Sequence, residues 1–561
     1  MIKNGGVSMS TNTIDITING DNITLSEAKT LFQISKMIDT GAKAAIVAAR
    51  VDNTIKELNY EINAPANIKF IDLTDEDGMR IYRRSLYFIF IMAVNDLFPE
   101  RKAIVSHPMY NGVFCEINGE SELTAEEVIL VETRMREIVE QGMPFEKTVV
   151  PTKDAQQLYL QQGRRDKFEA INHRQKKYVT FYRCGGYEDY YYGYMVPDTS
   201  YVKCFALKFY EGGIVIQFPS KANPEVLPPF KEQKKLFNIF VEHKKWARIL
   251  GVGNVGMLNQ IISEGGISEL IRVSEALHEK KIAQIADNIT NHEEKKRIVL
   301  ISGPSSSGKT TFANRLGVQL RVNGFVPRTI SLDDYFVDRD RTPKDPEGDY
   351  DFEALEAIDV DYFNIQLSQL LEGKEVEVPT FNFTTGYREK VGKKMRMHED
   401  DILVIEGIHG LNDKLTASIA TKDKYKIYVS ALTAMNIDEH NRIPSTDTRV
   451  IRRIVRDNQF RGCSAVNTIK RWPSVRRGEE KNIFPYQENA DIMFNSSLVY
   501  ELCLLKNYAE PLLMQIGEDY ECYSEVKRLI EFLSYFVAID CKDIPINSIV
   551  REFIGGSCFF N

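Results

Sequence analysis

Residues 297–311 read Arg-Ile-Val-Leu-Ile-Ser-Gly-Pro-Ser-Ser-Ser-Gly-Lys-Thr-Thr and contain the pattern G-x-x-x-x-G-K-[ST]. The apolar run 298–301 predicts a buried strand and residues 312–320 predict a helix, which is the order that a phosphate-binding loop needs. Small residues let backbone N–H groups converge on phosphate oxygens, and the helix N-terminus adds partial positive charge. A Gly/Ser loop before an ordinary helix is the plainer alternative. The predicted nucleotide-binding residues of the loop are Gly303, Pro304, Ser305, Ser306, Ser307, Gly308, Lys309, Thr310 and Thr311.

Two further apolar runs end in carboxylates. Residues 328–332 precede Asp333 and Asp334, and residues 402–405 precede Glu406. The carboxyl ends of parallel strands form the ligand-binding edge of a doubly wound sheet. An acid at a strand end also caps turns, but beside a phosphate loop we predict that Glu406 holds Mg²⁺ together with the Thr310 hydroxyl. Lys309 is predicted to reach the outer phosphates of the nucleotide.

Four arginines recur at helical spacing within residues 447–461. Arg449, Arg452, Arg453 and Arg456 predict one face of a helix, and such a stripe is usually a solvated surface. We expect no interleaved acid on this face, so the arginines would repel one another unless anions lie opposite them. Because guanidinium groups bind phosphates bidentately, we predict a lid over a triphosphate.

Length and composition limit the function classes. The 561 residues exceed one hydrophobic core, and 43% hydrophobic with 27% charged residues is typical of a soluble globular protein. The net charge of −8 argues against a chain-wide attraction to nucleic acid or anionic membranes. The apolar run 86–94 is about half the length of a membrane span, and residues 1–10 lack a secretory segment. Eight scattered cysteines predict reduced, mostly buried thiols, so we expect a cytoplasmic protein without a membrane partner.

The pattern outside the phosphate loop predicts several domains. We predict a disordered tail over 1–12 and an α+β module of ubiquitin size over 13–72, with a hairpin at 13–25, a helix at 30–38 and strands at 44–51 and 68–73. Helical spacing of apolar residues in 231–245 and 267–289 predicts a helical connector over 221–296. His278 and His292 are expected to face solvent. Residues 498–536 are expected to be helical.

Residues 297 to about 495 resemble the uridine kinase/phosphoribulokinase family of P-loop phosphotransferases. The residues that carry the resemblance are Gly303–Thr311, Ser331–Phe336, Tyr350-Asp351-Phe352, Val404–Gly407 and Arg449–Arg461. The resemblance implies a multidomain α/β protein with a kinase domain over 297–561, built on a doubly wound parallel sheet. It also implies ATP as the phosphate donor and Mg²⁺ as the cofactor. In this chain the implied catalytic residues are Asp333 as base, Lys309 and Arg456.

The resemblance also implies the remaining ligands. Asp351 and Arg453 would bind the acceptor, Arg456 and Arg461 the ATP phosphates, and Asp333 would lie beside Thr310 and Glu406 at the metal. Pyrimidine-selective members carry a Tyr and a His in the stretch matching 379–388, where this chain has Phe381 and Gly386. Cys463 replaces an Arg that follows the lid. Phe381 and Tyr387 are the predicted acceptor-binding residues here, and the base of the acceptor stays open.

The N-terminal third resembles threonyl-tRNA synthetases. The stretches Ala48–Asp52, Ile68–Leu73 and Gly78–Ser85 resemble their TGS module, and residues 73–220 resemble their editing-like domain. The H-x-x-x-H pair of that family falls on Arg84 and Phe88, and its C-x-x-x-H pair falls on Tyr191 and Met195. None of these four supplies an imidazole or a thiolate, so the resemblance implies the scaffold without editing. The tyrosines at 190–192 are open to two interpretations, base stacking or aromatic packing.

The whole arrangement resembles bacterial fused nucleoside kinases, with residues 471–488 also typical of that group. It implies ATP-dependent phosphorylation of the 5′-hydroxyl of a nucleoside. Two alternatives stay open: a phosphoribulokinase-like sugar kinase, and an RNA-associated regulator that uses the P-loop domain as a nucleotide switch. The expected partners are ATP and a nucleoside or similar small acceptor. The TGS-like module leaves a nucleic-acid partner open, and a homo-oligomer is open as well.

Overall fold

The computed structural model describes residues 13–291, 296–383, 385–417 and 419–560. The tail predicted at 1–12 and the prediction for His292 lie outside the described residues. The chain forms two compact units. The first comprises the described residues up to Glu232 together with Ile437–Arg442 and Ile516–Phe532, and the second comprises the rest.

The first unit begins with the predicted α+β module. A hairpin of β1 and β2 turns at Asn19 and Gly20, both of which have positive φ, as a tight two-residue turn requires. Thr30 caps the helix with a capping box, in which its side chain and that of Gln33 exchange hydrogen bonds with the backbone. The elements are β1 (Ile14–Ile18), β2 (Asp21–Leu25), β3 (Lys29–Thr30), α1 (Leu31–Met37), β4 (Ile46–Val51), β5 (Thr54–Glu57), β6 (Glu61–Ile62) and β7 (Ala66–Asp72). Five of the strands form a sheet in the order β2-β1-β7-β4-β5, which confirms the hairpin, helix and strands predicted here.

The remainder of the first unit is built around one long buried helix. The apolar run 86–94 lies inside this helix and is buried on nearly every side, which accounts for its hydrophobicity without a membrane. Two antiparallel sheets have the orders β13-β14-β9-β8 and β10-β11-β12. The elements are α2 (Glu76–Leu97), β8 (Lys102–Pro108), β9 (Gly112–Asn118), α3 (Ala125–Glu140), β10 (Glu146–Pro151), α4 (Thr152–Gln161), α5 (Arg165–Asn172), β11 (Tyr178–Cys184), β12 (Tyr187–Tyr190), β13 (Ala206–Tyr210) and β14 (Gly213–Gln217).

The second unit opens with three helices before the phosphate loop: α6 (Lys234–Leu250), α7 (Val255–Ser263) and α8 (Ile267–Thr290). The helices predicted at 231–245 and 267–289 are therefore confirmed. The prediction that His278 faces solvent is wrong. Its ring is buried against Phe494, with 5.2 Å between ring centroids, because position 278 lies on the same helical face as the buried residues Ile271 and Ile282.

The centre of the second unit is a five-stranded parallel sheet in the order β16-β21-β15-β22-β23, which confirms the doubly wound fold. Every residue of β15, β21 and β22 is buried, as expected of strands covered on both faces. The chain leaves β15 toward one edge and returns on its other side with β22. Its elements are β15 (Ile298–Ser302), α9 (Lys309–Val322), β16 (Val326–Ser331), α10 (Val360–Leu371), β17 (Val376–Val378), β18 (Phe381–Asn382), β19 (Tyr387–Arg388), β20 (Lys393–Met395), β21 (Asp401–Glu406), β22 (Lys424–Ser430), α11 (Ser445–Arg461), α12 (Ala465–Asn482), β23 (Ile492–Asn495), α13 (Glu501–Met514), α14 (Tyr523–Leu533) and α15 (Arg551–Ile554).

Two properties bear on the predictions from composition. Among the described residues, the helices are all too short or too polar to cross a membrane. All eight cysteines are free thiols, but only Cys115, Cys184 and Cys503 are buried, so the expectation of mostly buried thiols is wrong.

Candidate active site

Two glycines fix the phosphate loop between β15 and α9. A Cβ atom on Gly303 would lie 1.8 Å from the carbonyl oxygen of Val429, so only glycine lets the loop pass this close to β22. Gly308 caps α9 with a φ of +83°, and a Cβ there would lie 2.5 Å from the Ile549 side chain. Lys309 bends back across the loop and donates to the Pro304 carbonyl at 3.2 Å. The spacing of the motif is thus explained by backbone contacts on both sides of the loop.

Three side chains meet where Mg²⁺ is predicted. The Oε1 atom of Glu406 accepts hydrogen bonds from Ser331 Oγ at 2.8 Å and from Thr310 Oγ1 at 3.4 Å. Burial, together with the negative charge of Asp333, raises the pKa of Glu406 to about 7, although Lys309 opposes the shift. A buried carboxylate beside two hydroxyl groups is a donor set of the kind that Mg²⁺ prefers, so these residues fit the cation. Ser331 was not predicted from the sequence.

Asp333 lies in a short 3₁₀ helix, Leu332–Tyr335, directly after β16. Its neighbour Asp334 accepts the N–H of Phe381 at 3.2 Å, which ties this turn to β18. The negative charge of Asp333 raises the pKa of Glu406 and also that of Glu353, so the three carboxyl groups share one region.

Glu353 belongs to this region although the sequence did not predict it. Burial, followed by the charge of Glu479, raises the pKa of Glu353 to about 7, while Arg453 and Lys309 lower it. Within the described part of the chain, its buried Oε2 atom has no hydrogen-bond partner. Asp351, which was predicted to bind the acceptor, instead accepts the N–H of Glu353 at 3.1 Å and so caps its own turn. The carboxylate nearest to the phosphate loop is therefore two residues further along than predicted.

The structure overturns part of the predicted arginine lid. Arg449 forms a bidentate pair with Glu479, and Arg452 bonds Glu501 at 2.7 Å. All four side chains are buried. The anions opposite these two arginines are thus protein carboxylates, so their predicted role as triphosphate ligands is wrong. Both arginines also donate to loop carbonyls, Arg449 to Ser305 at 3.2 Å and Arg452 to Ser306 at 3.3 Å, and thereby support the loop from behind.

The remaining arginines of α11 surround an acid on their own helix. Asp457 is paired with Arg453, Arg456 and Arg461 at 3.2, 2.8 and 3.8 Å. Burial favours protonation, but these charges, with Arg456 first, hold the pKa of Asp457 below its usual range. The expectation of no interleaved acid is therefore wrong. Arg453 also donates to the Ser305 hydroxyl at 2.7 Å, which places its guanidinium at the loop.

Helix α12 contributes a carboxylate to the phosphate loop. Glu479 is fully buried, and its Oε1 accepts the backbone N–H of Ser305 at 3.1 Å. Gly478 packs so closely on Glu353 that a Cβ there would lie 2.2 Å from the Glu353 Cβ. The sequence gave no signal for either contact beyond the unassigned stretch 471–488, whose basic residues had suggested a lid extension.

The acceptor side is lined by aromatic rings. Phe381 is only 7% exposed and packs on Phe336 and Phe383, with ring centroids 5.6 and 5.3 Å apart. Phe383 and Tyr387 are 45% and 50% exposed. Gly386 has a φ of +82°, and a Cβ there would lie 2.5 Å from the Arg339 side chain, which explains why glycine stands at this position.

Comparison with known proteins identifies this part of the chain. Residues 298–501 match the model of the phosphoribulokinase / uridine kinase family. They form a domain of that family. Among solved structures, the chain is similar to a possible uridine kinase from Bacillus stearothermophilus, with 19% identity and a TM-score of 0.28 over 38% of this chain and 98% of that one. It is also similar to a D-glycerate 3-kinase from Cryptococcus neoformans, with 12% identity and a TM-score of 0.25 over 38% and 88%.

Outside the phosphoribulokinase/uridine kinase domain, the N-terminal region matches curated threonine–tRNA ligases. The enzyme of Methylococcus capsulatus is 27% identical over 179 residues, which are 32% of this chain and 28% of that enzyme. The enzyme of Halorhodospira halophila is 32% identical over 167 residues, 30% and 26% of the two chains. The chain thus spans less than a third of the length of these relatives.

The positions of the lost editing motif come together in the first unit, apart from the kinase-family domain. Arg84 donates to the Tyr194 carbonyl at 2.7 Å, and the ring of Phe88 lies 5.5 Å from that of Tyr191. Ser85 Oγ lies 3.5 Å from the Met195 sulfur. Tyr191 is buried, which favours aromatic packing over base stacking at this position. In the described ranges, no cluster of three His, Cys, Asp or Glu side chains is arranged to hold a metal ion.

Proposed function

We propose that the second unit is an ATP- and Mg²⁺-dependent kinase that transfers phosphate to the 5′-hydroxyl of a nucleoside. The observation that carries this proposal is one convergence at the carboxyl edge of the parallel sheet. Lys309 and the phosphate loop, the Thr310–Glu406–Ser331 cluster and Asp333 all lie there. A kinase needs these three components together: a phosphate cradle, a metal site and a base.

The donor side supports ATP as the substrate. Small residues of the loop leave backbone N–H groups for phosphate oxygens, and the N-terminus of α9 stabilises negative charge. When bound at Thr310 and Glu406, Mg²⁺ would neutralise charge on the transferred phosphoryl group. Lys309 would exchange its bond with Pro304 for the outer phosphates. We keep Arg453, Arg456 and Arg461 as predicted ligands of the acceptor and phosphates, because their shared counter-ion Asp457 holds them in place.

The reaction at the acceptor is a single displacement. The 5′-oxygen forms a bond to the γ-phosphorus while the bond to the β,γ-bridging oxygen breaks and ADP leaves. Asp333 accepts the hydroxyl proton. The protein contributes mainly by orienting the groups and neutralising charge. Glu353, with its unpaired Oε2, is better placed than Asp351 to accept a hydrogen bond from an acceptor hydroxyl.

The aromatic lining favours a planar acceptor over a bare sugar phosphate. Exposed rings at Phe383 and Tyr387 offer stacking surfaces, and stacking tolerates any base. Phe381 and Gly386 stand where pyrimidine-selective relatives read the base, and neither side chain offers a hydrogen bond. We therefore expect a kinase with relaxed base selectivity, acting in nucleoside salvage in the cytoplasm.

An acceptor panel tests the proposal. ATP consumption by the full chain is measured with each common nucleoside and with ribulose 5-phosphate, and Asp333→Asn is measured alongside. We expect turnover with one or more nucleosides, and a loss of roughly 100-fold or more in kcat for Asp333→Asn, because general-base catalysis contributes about that much. ATP binding by the variant should persist. Turnover with ribulose 5-phosphate alone would establish the sugar-kinase alternative, and wild-type turnover by Asp333→Asn would remove this residue from the mechanism.

A further inference from the structure

The end of the chain lies against the phosphate loop within the second unit. The Oε2 atom of Glu552, on α15, accepts two hydrogen bonds from Thr311, one from the backbone N–H at 3.1 Å and one from Oγ1 at 2.8 Å. The Ile549 side chain meanwhile closes on Gly308. A carboxylate brought from 241 residues away thus binds the first turn of the phosphate-loop helix.

This position belongs to a nucleotide phosphate. Thr311 is the third residue of α9, and the first N–H groups of a helix have no partner inside the helix. In a phosphate loop these groups bind phosphate oxygens, assisted by the partial positive charge of the helix N-terminus. Glu552 also contributes to the raised pKa of Glu406, so it lies within electrostatic range of the metal site. An anion at Thr311 therefore meets both the cradle and the cation site.

The segment that carries Glu552 is anchored rather than loosely placed. Phe553 is buried under the guanidinium of Arg452, at 4.9 Å from the ring centroid. Gln459 of α11 donates to the Ile554 carbonyl at 3.0 Å. Arg551 donates to the carbonyls of Cys541 and Ile544 at 3.0 and 2.8 Å. These contacts attach the segment to the same helix that carries the predicted phosphate-binding arginines.

We propose that residues 548–555 hold the kinase in an autoinhibited state, in which the Glu552 carboxylate takes the place of a donor phosphate at Thr311. This inference rests on the proposed function, since it concerns access of ATP to the same loop. Donor binding must displace Glu552, because a phosphate and a carboxylate at one N–H group would repel each other. The apparent affinity for ATP is then lowered by the fraction of molecules in which the segment has moved away.

Binding of a non-hydrolysable Mg-ATP analogue tests the proposal. The variants are Glu552→Ala, which removes the internal anion, and Glu552→Gln, which removes only its charge. Asp540→Asn is the matched control, because Asp540 is an exposed acid of the same C-terminal region. We expect Glu552→Ala to bind the analogue about tenfold more tightly than wild type, since charge-assisted hydrogen bonds are the strong ones. Glu552→Gln should lie between, and Asp540→Asn should match wild type.

Hydrogen exchange on the unaltered full chain gives a second readout that needs no variant to fold. We expect the amides of residues 548–555 to exchange faster when the analogue is bound. Equal affinity of wild type and Glu552→Ala, with unchanged exchange at 548–555, would overturn the autoinhibition while leaving the proposed kinase intact. If the analogue binds neither wild type nor Glu552→Ala and no acceptor is phosphorylated, both proposals fail.

Discussion

At the scale of single residues, Glu406 shows why a metal-site carboxylate is placed at the end of a buried strand. All six residues of β21 are buried, so the strand carries its last side chain into a region of low polarity. Burial and the nearby Asp333 raise the pKa of Glu406 to about 7. The group is therefore half protonated near neutral pH until a cation arrives, and cation binding must release the proton.

Binding of Mg²⁺ with nucleotide should depend on pH for this reason. At pH 6 only about a tenth of the Glu406 carboxyl is ionised, so we expect affinity for a Mg-ATP analogue to be roughly tenfold weaker than at pH 8. Calorimetric titration at both pH values measures the difference. Glu353→Gln is the control, because it removes the other carboxyl with a pKa of about 7 and should keep the dependence. Glu406→Gln should lose it, and a pH-independent wild type would contradict this account.

The same shift has a consequence for stability. Between pH 4.5, the ordinary pKa value of the carboxyl, and about 7, the folded protein keeps a proton on Glu406 that the unfolded chain releases. The contribution of this group to the free energy of unfolding is thus complete below pH 4.5 and is lost as pH rises toward 7.

Residue-scale prediction from the sequence succeeded where the signal is local. Gly303, Gly308 and Glu406 follow from strand ends and turn requirements that a few adjacent residues express. Glu353 was missed because its neighbour Asp351 has the same chemistry, and only the fold shows that Asp351 caps its own turn. The ligand roles assigned to Asp333, Arg453, Arg456 and Arg461 stay predictions.

At the scale of elements, helix α11 divides one arginine stripe between two tasks. The helix itself was predicted correctly from spacing, but the partners of Arg449 and Arg452 were not. Glu479 and Glu501 lie 30 and 49 residues further along the chain, on α12 and α13. Periodicity identifies which side chains share a face, whereas only tertiary packing supplies the charge opposite that face. A buried stripe and a ligand-binding stripe therefore look alike in sequence.

Two substitutions on α11 separate these tasks. Arg452→Met leaves Glu501 buried without its counter-charge, so we expect a loss of about 3–5 kcal/mol in the free energy of unfolding. Arg456→Met leaves Asp457 with two other arginines, so we expect a smaller loss of stability but a marked fall in phosphotransfer. Denaturant unfolding and the kinase assay together measure both effects. An Arg452→Met protein with unchanged stability would show that the buried pair contributes little.

At the scale of the whole molecule, the first unit is completed by segments that are distant in sequence. Residues 437–442, which follow β22 in the chain, belong to this unit. There Lys167 pairs with Asp438 at 2.9 Å and with Asp189 at 3.2 Å, and His440 bonds Asp189 as well. All four side chains are buried. No local pattern predicted this cluster, because each member is an ordinary charged residue until the fold brings them together.

Removing Asp189 should release this inserted segment. Lys167 and His440 hold the pKa of Asp189 well below its usual range despite burial, so the carboxylate is ionised and its loss leaves a buried cation less compensated. We expect Asp189→Ala to lower the free energy of unfolding of the first unit by about 3–5 kcal/mol. Amide exchange at 437–442 should rise with it. Asp154→Ala, at an exposed position on α4, is the matched control and should change neither quantity. If Asp189→Ala destabilises the unit while exchange at 437–442 stays at the wild-type rate, the cluster supports α5 and β12 alone and does not retain the segment.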